Sequence, residues 1–313
     1  MLGLVWRRLV QLVPVAFGIT AVTFFLLRVI PGNPAQAILG YRATPEAVAR
    51  LNAALGLDRS ILTQYALFLG RLARADLGDS YVFGEPVLRL VVDQLAPTLL
   101  LVSFATVLST LVAVPLAIAA ALGRGSMLDH AIRLGLVVGI GLPSYWLGLV
   151  LILAFAIAVP LLPVGGYGEG TWMHLRHLSL PALTLAAGII PVILRSLRSS
   201  LIEALQAHHV ATARAKGLGG SAVLVRHVLR NALIPAVTLL GVNVGWLVGG
   251  TVVVESVFGV PGLGMLLFRA IGLRDYPTIQ AVTLTLAVLT VLIQLATDVG
   301  HMLLDPRARG SAA

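Results

Sequence analysis

Six stretches of this chain contain no charged residue and are long enough to cross a lipid bilayer as helices. A spanning helix needs about 20 apolar residues, with a range of about 17–25. Backbone groups inside a bilayer must find partners within the protein, so such stretches are expected to be helical. We therefore predict an all-α polytopic membrane protein with six transmembrane helices. The stretches are 9–27, 94–123, 134–168, 178–194, 231–254 and 276–297.

Composition supports the membrane assignment. Charged residues make up 11% of the chain and mean hydropathy is +0.97, whereas soluble domains carry about 25% charged residues. The first stretch is longer than the ~7–15-residue core of a signal peptide, so we expect an uncleaved first helix. The third stretch contains Pro143, Pro160 and Pro163, and its ends are therefore expected to be loop.

The basic residues indicate the orientation. The net charge is +9, and short loops rich in Lys and Arg face the cytoplasm. Segment 195–230 holds six such residues against a single acid, Glu203. It is therefore predicted to be cytoplasmic, together with loop 124–133 and both termini, in the inner (cytoplasmic) membrane. No basic patch is interleaved with aromatic residues, which argues against a nucleic-acid partner.

Four regions follow from this topology. Residues 1–30 form the cytoplasmic N-terminus and first span, residues 31–96 an external subdomain, residues 97–303 a five-helix core, and residues 304–313 a cytoplasmic tail. The external segment looks ordered: Thr44 can cap a helix that starts at Pro45, and Gly56 can end it. Whether this subdomain binds anything is left open.

Several function classes lack the residues that they need. Gradient-driven transporters usually keep ionisable groups near the membrane midplane, but Glu255 and Asp298 lie at the ends of their stretches. A phosphate-binding loop ends in Lys-Ser/Thr, whereas the one lysine, Lys216, precedes Gly217. The chain should therefore not hydrolyse ATP or bind a nucleotide cofactor.

Enzyme and metal chemistry are also not expected. There are no cysteines, which excludes thiolate ligands and nucleophiles. The adjacent pair His208-His209 points to different faces of a helix and lacks a partner at i+4. We expect no catalytic residue, no metal site and no cofactor bound by this chain.

The fifth stretch carries a small-residue repeat. Gly241, Gly245 and Gly249 recur every four residues, a spacing that lets two helix backbones approach closely. The repeat favours either packing within this chain or close contact with a partner subunit or along a pathway. Asn243, in the same helix, either lines a pathway or bonds a neighbouring helix.

Residues 201–233 form the largest predicted cytoplasmic segment. A helical stretch through Ala215 is followed by Gly217, Gly219 and Gly220, and a second amphipathic stretch leads into the fifth span. A helix, a glycine turn and a second helix make a rigid protrusion. Such a protrusion can transmit a force from a partner protein to the membrane helices. The alternative is a solvated, positively charged loop.

The chain resembles the ABC importer permeases for dipeptides, oligopeptides and nickel, and specifically their B-type subunit. Segment 212–218, Thr-Ala-Arg-Ala-Lys-Gly-Leu, resembles their cytoplasmic EAA loop, together with Arg226-His227 and Leu229-Arg230-Asn231-Ala232. Further similar motifs follow in order along the chain: Leu55-Gly56-Leu57-Asp58, Asp76-Leu77-Gly78, Pro143-Ser144-Tyr145-Trp146, Glu255-Ser256-Val257-Phe258, Pro261-Gly262-Leu263-Gly264 and Asp275-Tyr276-Pro277. Asn33 and His208-His209 depart from the family pattern.

The resemblance implies a type I ABC importer permease fold. It also implies three kinds of partner: a second homologous permease, two ABC ATPases that hold ATP and Mg, and an external solute-binding protein. Peptides are the implied substrates, with nickel complexes, glutathione or other small solutes as alternatives. From the residues alone, an ATPase-independent secondary transporter, a channel and a scaffold without transport stay open.

The resemblance also implies roles for particular residues. Separately from the resemblance, the external loop with Glu255, Pro261 and Gly262 is expected to touch the binding protein or its substrate, because rigid Pro261-Gly262 lies beside an acid at the membrane edge. Ala211 to Gly217 are expected to form the coupling helix, with Glu203 and Arg214 fixing its setting. The predicted ATPase-coupling residues are Glu203, Ala211, Thr212, Ala213, Arg214, Ala215, Lys216, Gly217, Arg226, Arg230 and Asn231.

Overall fold

A computed structural model describes residues 2–29, 33–40 and 43–304 of the 313-residue chain. Within these ranges the regular structure is helical, and one isolated bridge pairs Asp79 with Pro86. Two short π-helical segments, Leu153–Ala158 and Leu224–Leu229, continue the helices before them. The α-helices are α1 (Leu2–Val29), α2 (Pro34–Leu39), α3 (Pro45–Leu55), α4 (Ile61–Leu72), α5 (Val87–Leu122), α6 (Met127–Gly141), α7 (Ser144–Ile152), α8 (Thr171–Gln206), α9 (His208–Ala215), α10 (Gly220–Val223), α11 (Arg230–Phe258), α12 (Leu263–Leu273) and α13 (Tyr276–Leu304).

Five of these helices are long and apolar enough to span a membrane. The spanning stretches belong to α1, α5, α8, α11 and α13. Helices α5 and α8 each have 36 residues, or about 54 Å at 1.5 Å per residue. Because the bilayer core is only about 30 Å thick, both helices extend beyond it. The boundary predicted at residue 96 falls inside α5, which begins at Val87.

The remaining apolar stretch is a bent pair of helices. Helix α6 and the combined α7 and π-helical segment meet at an angle of 107°. Sequence analysis expected loops only at the ends of this stretch, but it also breaks at Leu142 and Pro143. Proline disfavours helical backbone in the residue before it and donates no hydrogen bond. Taken as one unit, the bent pair is long and apolar enough to provide the sixth crossing that the sequence predicts.

The crossings place the connecting segments at two ends of the bundle. We call residues 123–126 and 207–229 the loop end, and residues 33–86, 159–170 and 259–275, as far as they are described, the cap end. Contacts join segments of the same end: the Gly166 N–H donates to the Phe258 carbonyl at 2.8 Å, and Ser80 Oγ donates to Asp275 at 2.5 Å.

Helix α8 lies at the centre of the bundle. In its most apolar window 61% of residues are buried, compared with 17–33% in the other four spanning helices. It packs on α5, α11 and the bent pair. Because α8 leads directly into the loop end, a displacement of that end acts on the core of the molecule.

The cap end contains the small helical subdomain that the sequence predicts. Thr44 Oγ1 accepts the Ala47 N–H at 3.3 Å and caps α3, and Gly56 ends α3 in the left-handed conformation with φ of 67°. Helix α4 packs on α1 through a cluster of aromatic rings that includes Phe24, Tyr65 and Phe68. The subdomain is thereby fixed against the first span.

Candidate functional site

The loop end carries the helix, glycine turn and second helix that the sequence predicts. Helix α8 continues to Gln206, and Ala207 breaks the helical path with φ of −70° and ψ of 145°. The short helix α9 follows and ends before Gly217, whose φ is +78°. Helix α10 and the second π-helical segment then run without interruption into α11. The protrusion is thus joined at both ends to spanning helices.

Helix α9 has one buried face and one exposed face. Val210 is 0% exposed and Ala213 is 5% exposed, and this i, i+3 pair packs on the hydrophobic core that Val223 and Val228 extend to the loop end. The other predicted coupling residues of the helix and its turn are exposed to solvent: Ala211, Thr212, Arg214, Ala215, Lys216 and Gly217.

The remaining predicted coupling residues lie on the elements before and after α9. Glu203, Arg226, Arg230 and Asn231 are all exposed, and Asn231 Nδ2 donates to the His227 carbonyl at 2.9 Å. Glu203 and Arg214 were expected to fix the setting of α9. The structure gives neither of these two side chains a hydrogen bond or ion pair with another described residue, and their role in setting α9 stays a prediction.

A buried ion pair beside the protrusion was not predicted as a site. Arg198 on α8 donates from Nε and Nη2 to the two oxygens of Asp129 on α6, at 2.8 Å each. Asp129 is 1% exposed and also accepts the Gly125 N–H at 3.0 Å. Both residues lie in segments that the sequence marks only as charged and cytoplasmic, 124–133 and 195–230. The capping pattern Ser126-x-x-Asp129 was the available signal.

Glu255 lies inside the protein rather than on a docking surface. It is 0% exposed, and its carboxylate accepts the Thr98 hydroxyl at 2.7 Å and the N–H groups of Gly264 and Met265 at 2.7 and 3.1 Å. It therefore binds the N-terminus of α12, where a carboxylate is favourable. The observed contacts of Glu255 are internal, and a contact between this residue and a binding protein stays a prediction.

The two other residues of the predicted external loop differ in accessibility. Gly262 is buried directly against the Glu255 carboxylate, and a Cβ atom at this position would lie 2.5 Å from it. Pro261 is exposed. A contact of this loop with a binding protein stays a prediction, and Pro261 is the accessible residue of the three.

Two of the three repeated glycines pack within the chain. A Cβ atom on Gly241 would overlap the Thr297 side chain of α13, and one on Gly245 would lie 3.3 Å from Thr290 Cγ2. Gly249 is exposed and has no such neighbour within 4 Å. Internal packing therefore accounts for Gly241 and Gly245, and the partner or pathway alternative stays open for Gly249.

Asn243 bonds its own helix. Its Nδ2 donates to the Leu239 carbonyl at 2.7 Å, as polar side chains in helices commonly do. The residue is half-buried. A pathway role for Asn243 stays a prediction.

Comparison with known sequences gives a match along almost the whole chain. The sequence profile of the family described as "Binding-protein-dependent transport system inner membrane component" matches residues 113–310. The profile for the N-terminal part of such membrane components matches residues 1–103. The two matches together leave only a short gap between them.

Curated relatives are similar over their full lengths. The dipeptide transport system permease protein DppB of Alkalihalophilus pseudofirmus is 36% identical, over 99% of this chain and 100% of that protein. A probable peptide ABC transporter permease of Sinorhizobium fredii is 38% identical, over 97% and 98%. The glutathione transport system permease protein GsiC of Salmonella paratyphi A is 36% identical, over 99% of each.

A solved structure shares the fold. An inward-facing crystal form of the MetNI methionine ABC transporter superposes with a TM-score of 0.58, at 19% identity, over 70% of this chain and 97% of the matched chain. At this identity the similarity concerns the fold alone. The superposition confirms the ABC importer permease fold that the sequence resemblance implies.

Proposed function

This chain belongs to the family of binding-protein-dependent transport system inner membrane components, and from that premise we propose that it forms half of the translocation pathway of an ATP-driven peptide importer. It is a multi-pass membrane transport subunit rather than an enzyme. Permeases of this family work with an ATPase and a binding protein. We propose in addition two ATPase subunits and a second, homologous permease.

The exposed face of α9 is the observation that carries this proposal. The helix is held on the core by Val210 and Ala213, while Arg214 and Lys216 point to solvent. A rigid, exposed helix between two spanning helices can receive a force and pass it on in both directions along the chain. We therefore propose that α9 and its glycine turn dock into an ATPase subunit.

The proposed mechanism is alternating access. ATP binding closes the two ATPases on each other. They carry α9 and its counterpart in the second permease toward each other. Helix α11 is continuous with the protrusion and α8 is joined to it through Ala207, so both tilt with it and change which membrane face the pathway opens to. Hydrolysis and product release reset the arrangement. ATP and Mg stay on the partner subunits throughout.

Site-specific cross-linking tests the docking. The chain has no cysteine, so Ala211→Cys introduces a single thiol on the exposed face of α9. A short cross-linker applied to native-host membranes is expected to capture a P-loop ATPase, identified by mass spectrometry. Ala213→Cys is the matched control, because it lies on the same helix but is 5% exposed and should be captured far less. A reactive thiol in the Ala211→Cys variant that captures no ATPase contradicts the proposal and favours the secondary transporter.

Substrate identity is tested by uptake. The relatives named for dipeptides, peptides and glutathione are 36–38% identical, so similarity alone does not separate these substrates. We propose short peptides, the class to which dipeptides and glutathione both belong. Cells that express the full transporter are expected to take up radiolabelled alanyl-alanine, and competition by glutathione or a nickel complex measures the alternatives. Competition by nickel complex alone contradicts a peptide substrate.

A further inference from the structure

The Asp129–Arg198 pair ties the turn between α5 and α6 to the helix that carries the proposed docking element. Arg198 lies 8 residues before the end of α8 at Gln206, or about 12 Å along the helix axis. Asp129 lies in the first turn of α6, directly after the end of α5 at Leu122. The pair therefore joins three spanning elements at the loop end.

The geometry of the pair restricts rotation as well as distance. Both carboxylate oxygens of Asp129 accept from the guanidinium of Arg198, and such two-point contacts fix orientation. Oδ2 also accepts the Gly125 N–H, and the Asp129 N–H donates to Ser126 Oγ at 3.3 Å. The same carboxylate thus holds the shape of the turn and its attachment to α8.

Buried ion pairs contribute little net stability, because desolvation offsets their attraction. Their main physical effect here is on the relative position of the elements. Arg133 also approaches Asp129, at 3.7 Å, but its side chain is 47% exposed, and exposed pairs are weak. Arg198 is therefore the partner that determines the position of the turn.

We propose that Asp129 and Arg198 are positioning residues that make the α5–α6 turn move with α8 when the ATPases act on α9. The inference rests on the proposed function. Without the pair, force on α9 moves α8 and the helices packed along it, while the α5–α6 turn and the first turn of α6 lag behind. ATP is then hydrolysed with less transport.

The test measures coupling rather than activity alone. Complexes purified from native-host membranes are reconstituted with their binding protein, and ATP hydrolysis and alanyl-alanine uptake are measured together. Arg198→Lys keeps the charge and loses the two-point contact, and Asp129→Asn weakens the acceptor. Loss of one partner of a buried pair is destabilising, so both rates are normalised to the amount of assembled complex, and uptake per ATP hydrolysed is expected to fall about fivefold or more. The double variant should be no worse than either single variant, because the two residues act as one unit.

Arg195→Lys is the matched control. Arg195 is also on α8, one turn before Arg198, and is exposed; its uptake per ATP should equal that of the parent. Unchanged coupling in both single variants overturns the inference, as does a loss of uptake fully explained by less assembled complex in Arg198→Lys and Asp129→Asn alike. A parent complex that shows no ATP-dependent uptake overturns the proposed function itself, and the inference with it.

Discussion

Gly217 is the residue of the proposed docking element whose backbone most limits substitution. Its φ of +78° lies in the left-handed region, and no atom would crowd an added Cβ within 4 Å. The constraint is therefore on backbone conformation rather than on space. A β-branched residue in the left-handed conformation costs about 1–2 kcal/mol of conformational free energy. The backbone of this one residue sets the direction in which the chain leaves α9.

Gly217→Val is accordingly expected to reduce uptake without reducing the amount of folded protein. The valine forces the turn out of its observed conformation and displaces the exposed face of α9. Gly217→Asn is the matched control, because asparagine tolerates the left-handed region. Uptake by expressing cells, normalised to membrane protein level, is the measurement. Normal uptake in the valine variant would contradict a role for this turn.

Glu255 is predicted to act through stability. Glu255→Ala leaves the Thr98 hydroxyl and the N–H groups of Gly264 and Met265 without their acceptor. Each buried donor left unpaired costs about 1–3 kcal/mol. We expect a clearly lower Tm in detergent. Glu169 is an exposed glutamate of the cap end, and Glu169→Ala should leave Tm unchanged. Equal Tm values for the two variants would contradict a stabilising role of Glu255.

At the scale of the helices, α11 and α13 are predicted to depend on Gly241 for their close approach. In Gly241→Val the added side chain overlaps Thr297, and overpacking of this kind costs about 1–3 kcal/mol. Gly249→Val, two helical turns further on, enters open space. Size-exclusion profiles and Tm values of the two variants should therefore differ, with loss of monodisperse protein only for Gly241→Val. Equal behaviour would mean that α13 can shift at no cost.

The sequence predicted the helices well where the signal is local. Charge-free stretches indicate spans because an apolar side chain is favourable in lipid whatever the rest of the fold is. Thr44 and Gly56 indicate helix ends because capping depends on the local backbone conformation. The break at Ala207 carries no such local signal, since alanine favours helix and the residue adopts an extended ψ of 145°. The bend at Pro143 was detectable as a break, but its angle depends on packing against other helices.

Contacts between distant residues were beyond the sequence analysis. Glu255 and Thr98 are 157 positions apart, and Arg198 and Asp129 are 69 apart. From the sequence alone, a charged residue at the end of an apolar stretch is expected to be exposed. Glu255 is buried because the fold brings the N-terminus of α12 against its carboxylate. The predicted coupling residues, in contrast, lie within the single segment 203–231, and ten of the eleven are exposed, because a short helix and a turn suffice to present residues that are close in sequence.

Across the whole molecule, three buried carboxylates lie at the ends of the bundle rather than at its middle. Asp129 binds α8 at the loop end, Glu255 binds α12 at the cap end, and Asp275 accepts from Ser80 Oγ and the Tyr81 N–H there. Each one joins segments that different spanning helices position. Between these ends the described buried core is mainly apolar, so the directional polar contacts of these three carboxylates lie where segments from different spanning helices meet.

The orientation of this bundle gives the last prediction. The basic residues of the loop end predict that it lies in the cytoplasm, with the cap end outside. Ala54→Cys on α3 and Ala211→Cys on α9 are matched single-cysteine variants, because both alanines are exposed and lie at opposite ends. A membrane-impermeant maleimide should label only the α3 variant in right-side-out spheroplasts and only the α9 variant in inverted vesicles, with both labelled after detergent is added. The opposite pattern would place α9 outside the cell, where no ATPase can reach it, and would refute the proposed docking as well as the orientation.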